Sequence, residues 1–328
     1  MTDLAVKIRR SVRSLFRTPL NGMLNRIDPP VIVLLYHRVT KLSSDPELLA
    51  VSPDNFRAQL LHLKKTLPVI RFDDDWEQAQ RPAAVVTFDD GYADNALEAL
   101  PILEELGVPA TFFISTGSIG AGSEFWWHEL ERIILEQQVV PPSFTLDNGR
   151  TGRSWPAGTR SERQELYHGI MQLMNNVDAG RREAWLMQVR HWAKVEEKAT
   201  DRHRLMSVDE LRLLAESSLV TIGAHTVTHT RLSSLSRDRQ REEITESKFQ
   251  LEQWLGKEIQ TFSYPFGRKS DYTKESITLC RQAGFTRAAA NFPGQAHRWT
   301  DSYQIPRHLV RNWPAEVFAE KLRRFRTR

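Results

Sequence analysis

Val85-Val86-Thr87-Phe88-Asp89-Asp90-Gly91-Tyr92 is an apolar run that ends in two adjacent carboxylates and a glycine, with a helical pattern from about Ala93. A buried parallel strand delivers polar groups to the carboxyl edge of a sheet in this way. Two neighbouring carboxylates repel one another unless a cation sits between or beside them. A second stretch gives a reason to expect a metal: Leu219-Val220-Thr221-Ile222-Gly223-Ala224 runs into His225-Thr226-Val227-Thr228-His229, again a strand end followed by paired imidazoles. One carboxylate and two histidines with open positions make a hydrolytic metal site, and the second carboxylate is then free to act as a base.

Outward from this stretch, strands and helices alternate. Val31 to Tyr36 reads as a central parallel strand, and Ser52-Pro53-Asp54 caps a helix through Phe56, Leu60, Leu63 and Leu67. Val69 to Phe72 reads as a short strand, and Asp73-Asp74-Asp75 after it as a helix N-cap rather than a ligand set. Strand 84–88, helix 93–106, the stop at Gly107-Val108-Pro109 and strand 110–114 continue the rhythm. From 123 to 205 the pattern changes to helices over 127–138, 160–175 and 180–194, with a Pro/Gly/Ser-containing segment at 141–159. Five of the nine tryptophans fall there, and packing is the expected role for most. The rhythm then resumes with helix 207–217, strand 219–223, helix 237–255, strand 260–264, helix 273–283, strand 286–290, a strand-like piece at 304–310 and a helix from Ala315. Roughly seven or eight parallel strands predict a barrel with its chemistry at the strand carboxyl ends.

Composition is that of a globular protein, 40% hydrophobic and 26% charged, and no run is apolar enough for a membrane span. A lone cysteine, Cys280, excludes an internal disulfide framework. Much of the basic excess behind the net charge of +4 lies at the ends. Residues 4–17 form a basic amphipathic helix, fitted either to an anionic membrane surface or to the domain itself. The C-terminal Lys321-Leu322-Arg323-Arg324-Phe325-Arg326 reads as a helix end. No nucleic-acid reader motif accompanies either patch. The N-terminus lacks the apolar stretch of a secretory signal, so the expectation is a cytoplasmic protein, peripheral at the inner membrane face.

Thr87-Phe88-Asp89-Asp90-Gly91 and His225-Thr226-Val227-Thr228-His229 resemble the first two motifs of the polysaccharide deacetylase family, with its NodB-type carbohydrate esterase domain, and Tyr264-Pro265-Phe266-Gly267 looks like the third. The resemblance covers most of 30–310. It implies an α/β fold, a distorted (β/α) barrel of NodB type over 29–328, preceded by the basic segment 1–28 and carrying a helical insertion at 123–205. It also implies a divalent metal, with zinc the expectation, held by Asp90, His225 and His229, and Asp89 as general base. Phe266 would supply an oxyanion N–H, with Tyr264 beside it at the substrate. The family's acid histidine lies in a C-terminal Leu-x-His; here the best copy is Leu35-Tyr36-His37, as in a circularly permuted branch. His37 is therefore the expected acid, with His308 its rival. The arginine that often opens the third motif is missing, and Arg307 or Arg38 would have to pair with Asp89 instead.

The function implied is hydrolytic removal of an N-acetyl group, or another small acyl group such as formyl, from a sugar in a glycan or a lipid-linked saccharide. A lipid-carried sugar suits the basic N-terminus best. The alternative is an inactive carbohydrate-binding member of the same fold.

Overall fold

Val31–Tyr36 and Ala83–Phe88, apolar at nearly every position, are buried at every position. Such runs suit strands covered on both faces. The computed structural model describes residues 25–76, 80–122, 124–149, 152–196 and 200–327. The expected amphipathic helix over 4–17 lies outside them. No helix among the described residues is long and apolar enough to cross a membrane.

The strands in chain order are β1 (Val31–Tyr36), β2 (Arg38–Val39), β3 (Ala50–Val51), β4 (Ala83–Phe88), β5 (Ala110–Ile114), β6 (Ser143–Leu146), β7 (Arg153–Pro156), β8 (Val220–Ala224), β9 (Thr261–Ser263), β10 (Arg287–Ala289) and β11 (His308–Leu309). Seven of them form one parallel sheet in the order β10-β9-β8-β5-β4-β1-β11. The stretch ahead of β11 returns to the opposite edge, where Ile305 N–H donates to the Ala288 carbonyl at 3.0 Å and Ala290 N–H to the Ile305 carbonyl at 2.8 Å. The two edges thereby meet through an irregular segment, giving a distorted (β/α) barrel. The strand expected over 304–310 is divided between these two partners.

Side chains alternate across a strand, and here the alternation has one sense throughout. Ile32, Leu34, Tyr36, Ala84, Val86, Phe88, Phe112, Ile222 and Phe262 belong to the large core shared with the helices. Val31, Val33, Ala83, Val85, Phe113 and Ala289 form a separate cluster inside the barrel with no helix residue in it. On the helix side, Tyr36, Phe88 and Phe112 stack in series with centroids 5.4 and 4.6 Å apart. Inside, Gly223 is required: a Cβ there would lie 2.5 Å from Phe113 and 2.6 Å from Thr261.

Helices Pro53–Thr66, Leu100–Leu106, Val208–Glu216, Arg237–Leu255, Lys274–Gln282 and Ala315–Phe325 surround the sheet. Ser52 caps the first, accepting from the Asn55 N–H. The C-terminal basic run lies within or just beyond the last of these helices, which buries Phe318 and Leu322.

Two local expectations need correction. The strand at 69–72 is a single bridge from Val69 to Ala84. In the Asp73–Asp75 run Asp74 accepts from the Arg71 N–H at 2.8 Å, and the helix expected after it runs into 77–79, outside the described residues. The insertion is not wholly helical: β6 and β7 pair as an antiparallel hairpin between the helices Trp126–Glu131 and Arg160–Met174.

Candidate metal centre and active site

The interior-facing register carries the site. β4 continues through Thr87 to Asp89, β1 to His37 and β8 to His225, each one step past its strand end. All three line one cavity of about 250 Å3, together with Asp90, His229, Phe266 and Trp127. The chain turns sharply around it: Asp90, Thr226, His229 and Phe266 all have positive φ, between 50° and 84°. Non-glycine residues adopt this conformation at a cost that the surrounding structure must offset, commonly at functional sites.

Asp90, His225 and His229 place one ligand atom each within 4.8 Å of one another, and all three residues are buried. Asp90 Oδ1 lies 3.2 Å from His229 Nε2 and 3.6 Å from His225 Nε2, yet has no aligned hydrogen-bond partner. His225 Nδ1 donates to the Ser263 carbonyl at 2.7 Å, leaving Nε2 with its lone pair toward Asp90. Phe125, Trp127 and Phe266 surround the His229 ring at centroid distances of 5.5, 5.0 and 5.0 Å and fix its plane. Burial pushes the His225 pKa down to about 4, so the ring is neutral and able to bind a cation. Burial alone would raise the Asp90 carboxyl, but the neighbouring histidines hold it well below the usual range. This donor set, one carboxylate oxygen and two imidazole nitrogens with an orphaned buried oxygen, fits a divalent ion.

Asp89 has a different partner. Arg307 Nη1 and Nη2 donate to its two oxygens, both at 2.7 Å. The guanidinium also reaches the Ala290 carbonyl, Thr87 Oγ1 and Ser263 Oγ at 2.8, 3.2 and 2.8 Å. Burial raises the Asp89 pKa, and the Arg307 charge, with smaller contributions around it, outweighs burial and keeps the group ionised. Of the two arginines considered for this place, Arg307 occupies it. Arg38 instead pairs with Asp94 at 2.9 Å and lies over the Tyr92 ring.

His37 has a buried Nδ1 without a hydrogen-bond partner, and Asn95 Nδ2 donates to its carbonyl at 2.8 Å. Burial lowers its pKa, with Asp90 and Asp89 acting the other way. His308 is elsewhere. It follows Arg307 by one residue, so its side chain lies on the outer face, stacked on Phe325 at 3.9 Å. Tyr264 is likewise turned outward: its ring stacks on Tyr272 at 4.1 Å, and its hydroxyl donates to the Tyr303 carbonyl. Neither side chain lines the cavity, which corrects both expectations.

Several lining residues have no motif behind them. Met171 and Asn175 come from the insertion helix and its end, while Glu47, Leu49, Arg231, Arg268 and Arg311 come from loops. Trp127 follows another tryptophan, and nothing in the local pattern marks which of the two faces the site. A second buried group, His128, Glu131 and His203, also brings ligand-type atoms together. The two rings there are parallel, 4.0 Å apart and 10° from coplanar, so no point near their nitrogens lies in both ring planes. Arg38 and Arg202 also stand 2.7 and 2.8 Å from the two nitrogens of His203. This cluster is a hydrogen-bonded network, not a metal centre.

The model of the polysaccharide deacetylase family matches residues 77–140 and 184–288, just over half the chain. YxkH of Bacillus subtilis (strain 168), named for the same family, is 22% identical over 289 residues, covering 86% of this chain and 71% of its own. Among solved structures, the polysaccharide deacetylase BC0361 from Bacillus cereus superposes with a TM-score of 0.57 at 20% identity, over 90% of this chain and 70% of that one. IcaB from Ammonifex degensii gives 0.56 at 18% identity, over 91% and 97%. The stretch between the two matched segments contains the hairpin and the helix Arg160–Met174 that reaches the cavity. By the motifs at its strand ends and the fold that positions them, the chain belongs to the polysaccharide deacetylase family.

Proposed function

We propose that the protein is a divalent-metal-dependent hydrolase that removes a small acyl group, acetyl first, from the nitrogen of a sugar. The observation that carries this reading is the convergence of Asp90, His225 and His229 on one buried point with the ionised Asp89 beside it. A metal bound there supplies Lewis acidity to the amide carbonyl and acidifies water toward neutrality. Asp89, fixed by Arg307, takes the proton of the attacking water. The backbone N–H of Phe266, a cavity-lining residue, would stabilise the developing oxyanion. His37, beside Asp89 at the end of the neighbouring strand, gives a proton to the leaving amine nitrogen. Trp127 and the Phe266 ring restrict solvent around His229.

The test compares metal content and turnover of N-acetylated sugars in the zinc-reconstituted wild type and in His225→Ala. About one metal per chain and measurable release of acetate, both lost in the variant, are expected. Equal, near-zero metal in the two proteins would overturn the reading.

A further inference from the structure

Arg311 lies two residues beyond the Leu35–Leu309 pairing and so stands beside His37 at the mouth of the cavity. Its backbone is pinned: Gln59 Nε2 donates to the carbonyls of Arg311 and Trp313 at 3.1 and 2.7 Å. The guanidinium is half-buried, and Nη1 donates to the carbonyls of Glu47, at 2.7 Å, and Leu48. The nearest acidic side chains, Asp45 and Glu47, act on Arg311 through space without bonding to it. Asp45 accepts from the N–H groups of Leu49 and Ala50, both at 2.9 Å, and Glu47 accepts from the Tyr167 hydroxyl at 3.3 Å. Among the described residues no carboxylate forms an ion pair with Arg311. By contrast, Arg231 across the same cavity is neutralised by Asp271 at 3.1 Å.

A half-buried guanidinium whose hydrogen bonds go to carbonyls, with Asp45 and Glu47 acting on it only from beyond contact, can still take a directly bonded anion. Arg311 also lines a second groove of about 590 Å3, whose walls mix the apolar Leu42, Leu48, Ala50 and Trp313 with Lys41 and Asp45. It therefore stands on the ridge between that groove and the catalytic cavity. Leu48 is 59% exposed on the same ridge, with a φ of 54° that leucine rarely adopts.

We propose that Arg311 is an anion-binding residue, and that the substrate is an N-acylated sugar bearing a phosphoryl group, the phosphate resting on Arg311 and its further substituent running into the second groove. A phosphate suits this place better than a carboxylate, because a phosphodiester continues beyond its charge whereas a carboxylate ends there. This rests on the deacylase reading of the neighbouring cavity.

The experiment titrates zinc-loaded protein calorimetrically with methyl N-acetylglucosaminide, N-acetylglucosamine 1-phosphate and its decyl phosphodiester, and measures acetate release from each. In the wild type the phosphate should tighten binding about ten-fold or more, the scale of a charge-assisted hydrogen bond. Arg311→Gln should collapse that ratio, and Arg311→Lys should restore part of it. Tighter binding of the decyl diester than of the monoester would identify a lipid-linked sugar; equal binding would identify a soluble sugar phosphate. No preference for phosphate in the wild type, or the same ratio in Arg311→Gln, overturns the proposal. The second result would make Arg311 only a clamp on the 45–49 loop, or leave the phosphate to the metal. Phosphate preference without acetate release from any probe would instead sink the hydrolase reading and leave the anion site standing.

Discussion

Replacing Arg307 by methionine would remove a buried positive charge and leave its partner in place. The guanidinium uses five N–H contacts, two of them on Asp89, and the residue is 1% exposed. In Arg307→Met, Asp89 keeps the Ser263 hydroxyl at 3.3 Å but no cation in direct contact. A buried charge stripped of its partner costs about 3–5 kcal/mol. At about 2 °C per kcal/mol for a chain of this length, the melting temperature should fall by roughly 6–10 °C. Metal-free protein is the sample to melt, since a bound cation would partly stand in for the arginine. Adding Asp89→Asn should recover much of the loss, because a neutral amide needs no counter-charge, and the two changes will therefore not add. The pH dependence has a definite sign. Asp89 has a folded pKa below its unfolded value, so its pairing stabilises above about pH 4 and the benefit is lost as pH falls through the folded pKa. The gap between wild type and Arg307→Met should accordingly close in acid. A melting temperature within about 2 °C of wild type at pH 7, or no recovery in the double variant, would refute this account of the pair.

His37→Ala should lower kcat by about 10²–10⁴, the usual contribution of a general acid, whereas His308→Leu, stacked outside the barrel on Phe325, should leave kcat/KM within a factor of about two of wild type. A fall with His308→Leu as large as that with His37→Ala would reverse the assignment. Gly223→Ala forces a Cβ to 2.5 Å from Phe113 and should destabilise the fold by about 1–3 kcal/mol in urea titrations; no change would mean the barrel interior is looser than its packing implies. Zinc at about a hundred times its Kd should add about 2.7 kcal/mol of stability. His229→Ala should lose that gain, whereas Asp89→Asn should keep it and lose turnover. A gain retained in His229→Ala would remove that residue from the ligand set.

Much of the site was legible because its ligands sit at strand ends that the sequence marks twice over, by an apolar run and by the polar residues that follow it. The barrel was legible for the same reason, in the regular return of such runs. What stayed ambiguous turned on one-residue distinctions inside very short strands. β11 has two residues and β9 has three, too few for alternation to show which side chains face inward. Once the register is known, one rule sorts both uncertain pairs. Arg307 and Ser263 point into the barrel; His308 and Tyr264 follow each by one position and point out. The hairpin of the insertion was hidden in a similar way, its inward Phe144, Leu146 and Trp155 scattered among turn-forming residues.

The missing third-motif arginine is the case in which chain order misleads most. Ser263 stands at or beside that position, and its hydroxyl accepts from Arg307 Nη2 at 2.8 Å while its carbonyl accepts from His225. The small side chain leaves the centre of the barrel open to a guanidinium arriving from beside β11. Inward-facing positions on different strands converge on the same interior, so a partner lost from one strand can be replaced from another without moving the carboxylate it serves. Asp89 therefore keeps a bidentate cation although the local motif has none, and only the closure of the sheet, which brings residues 263 and 307 together, reveals it.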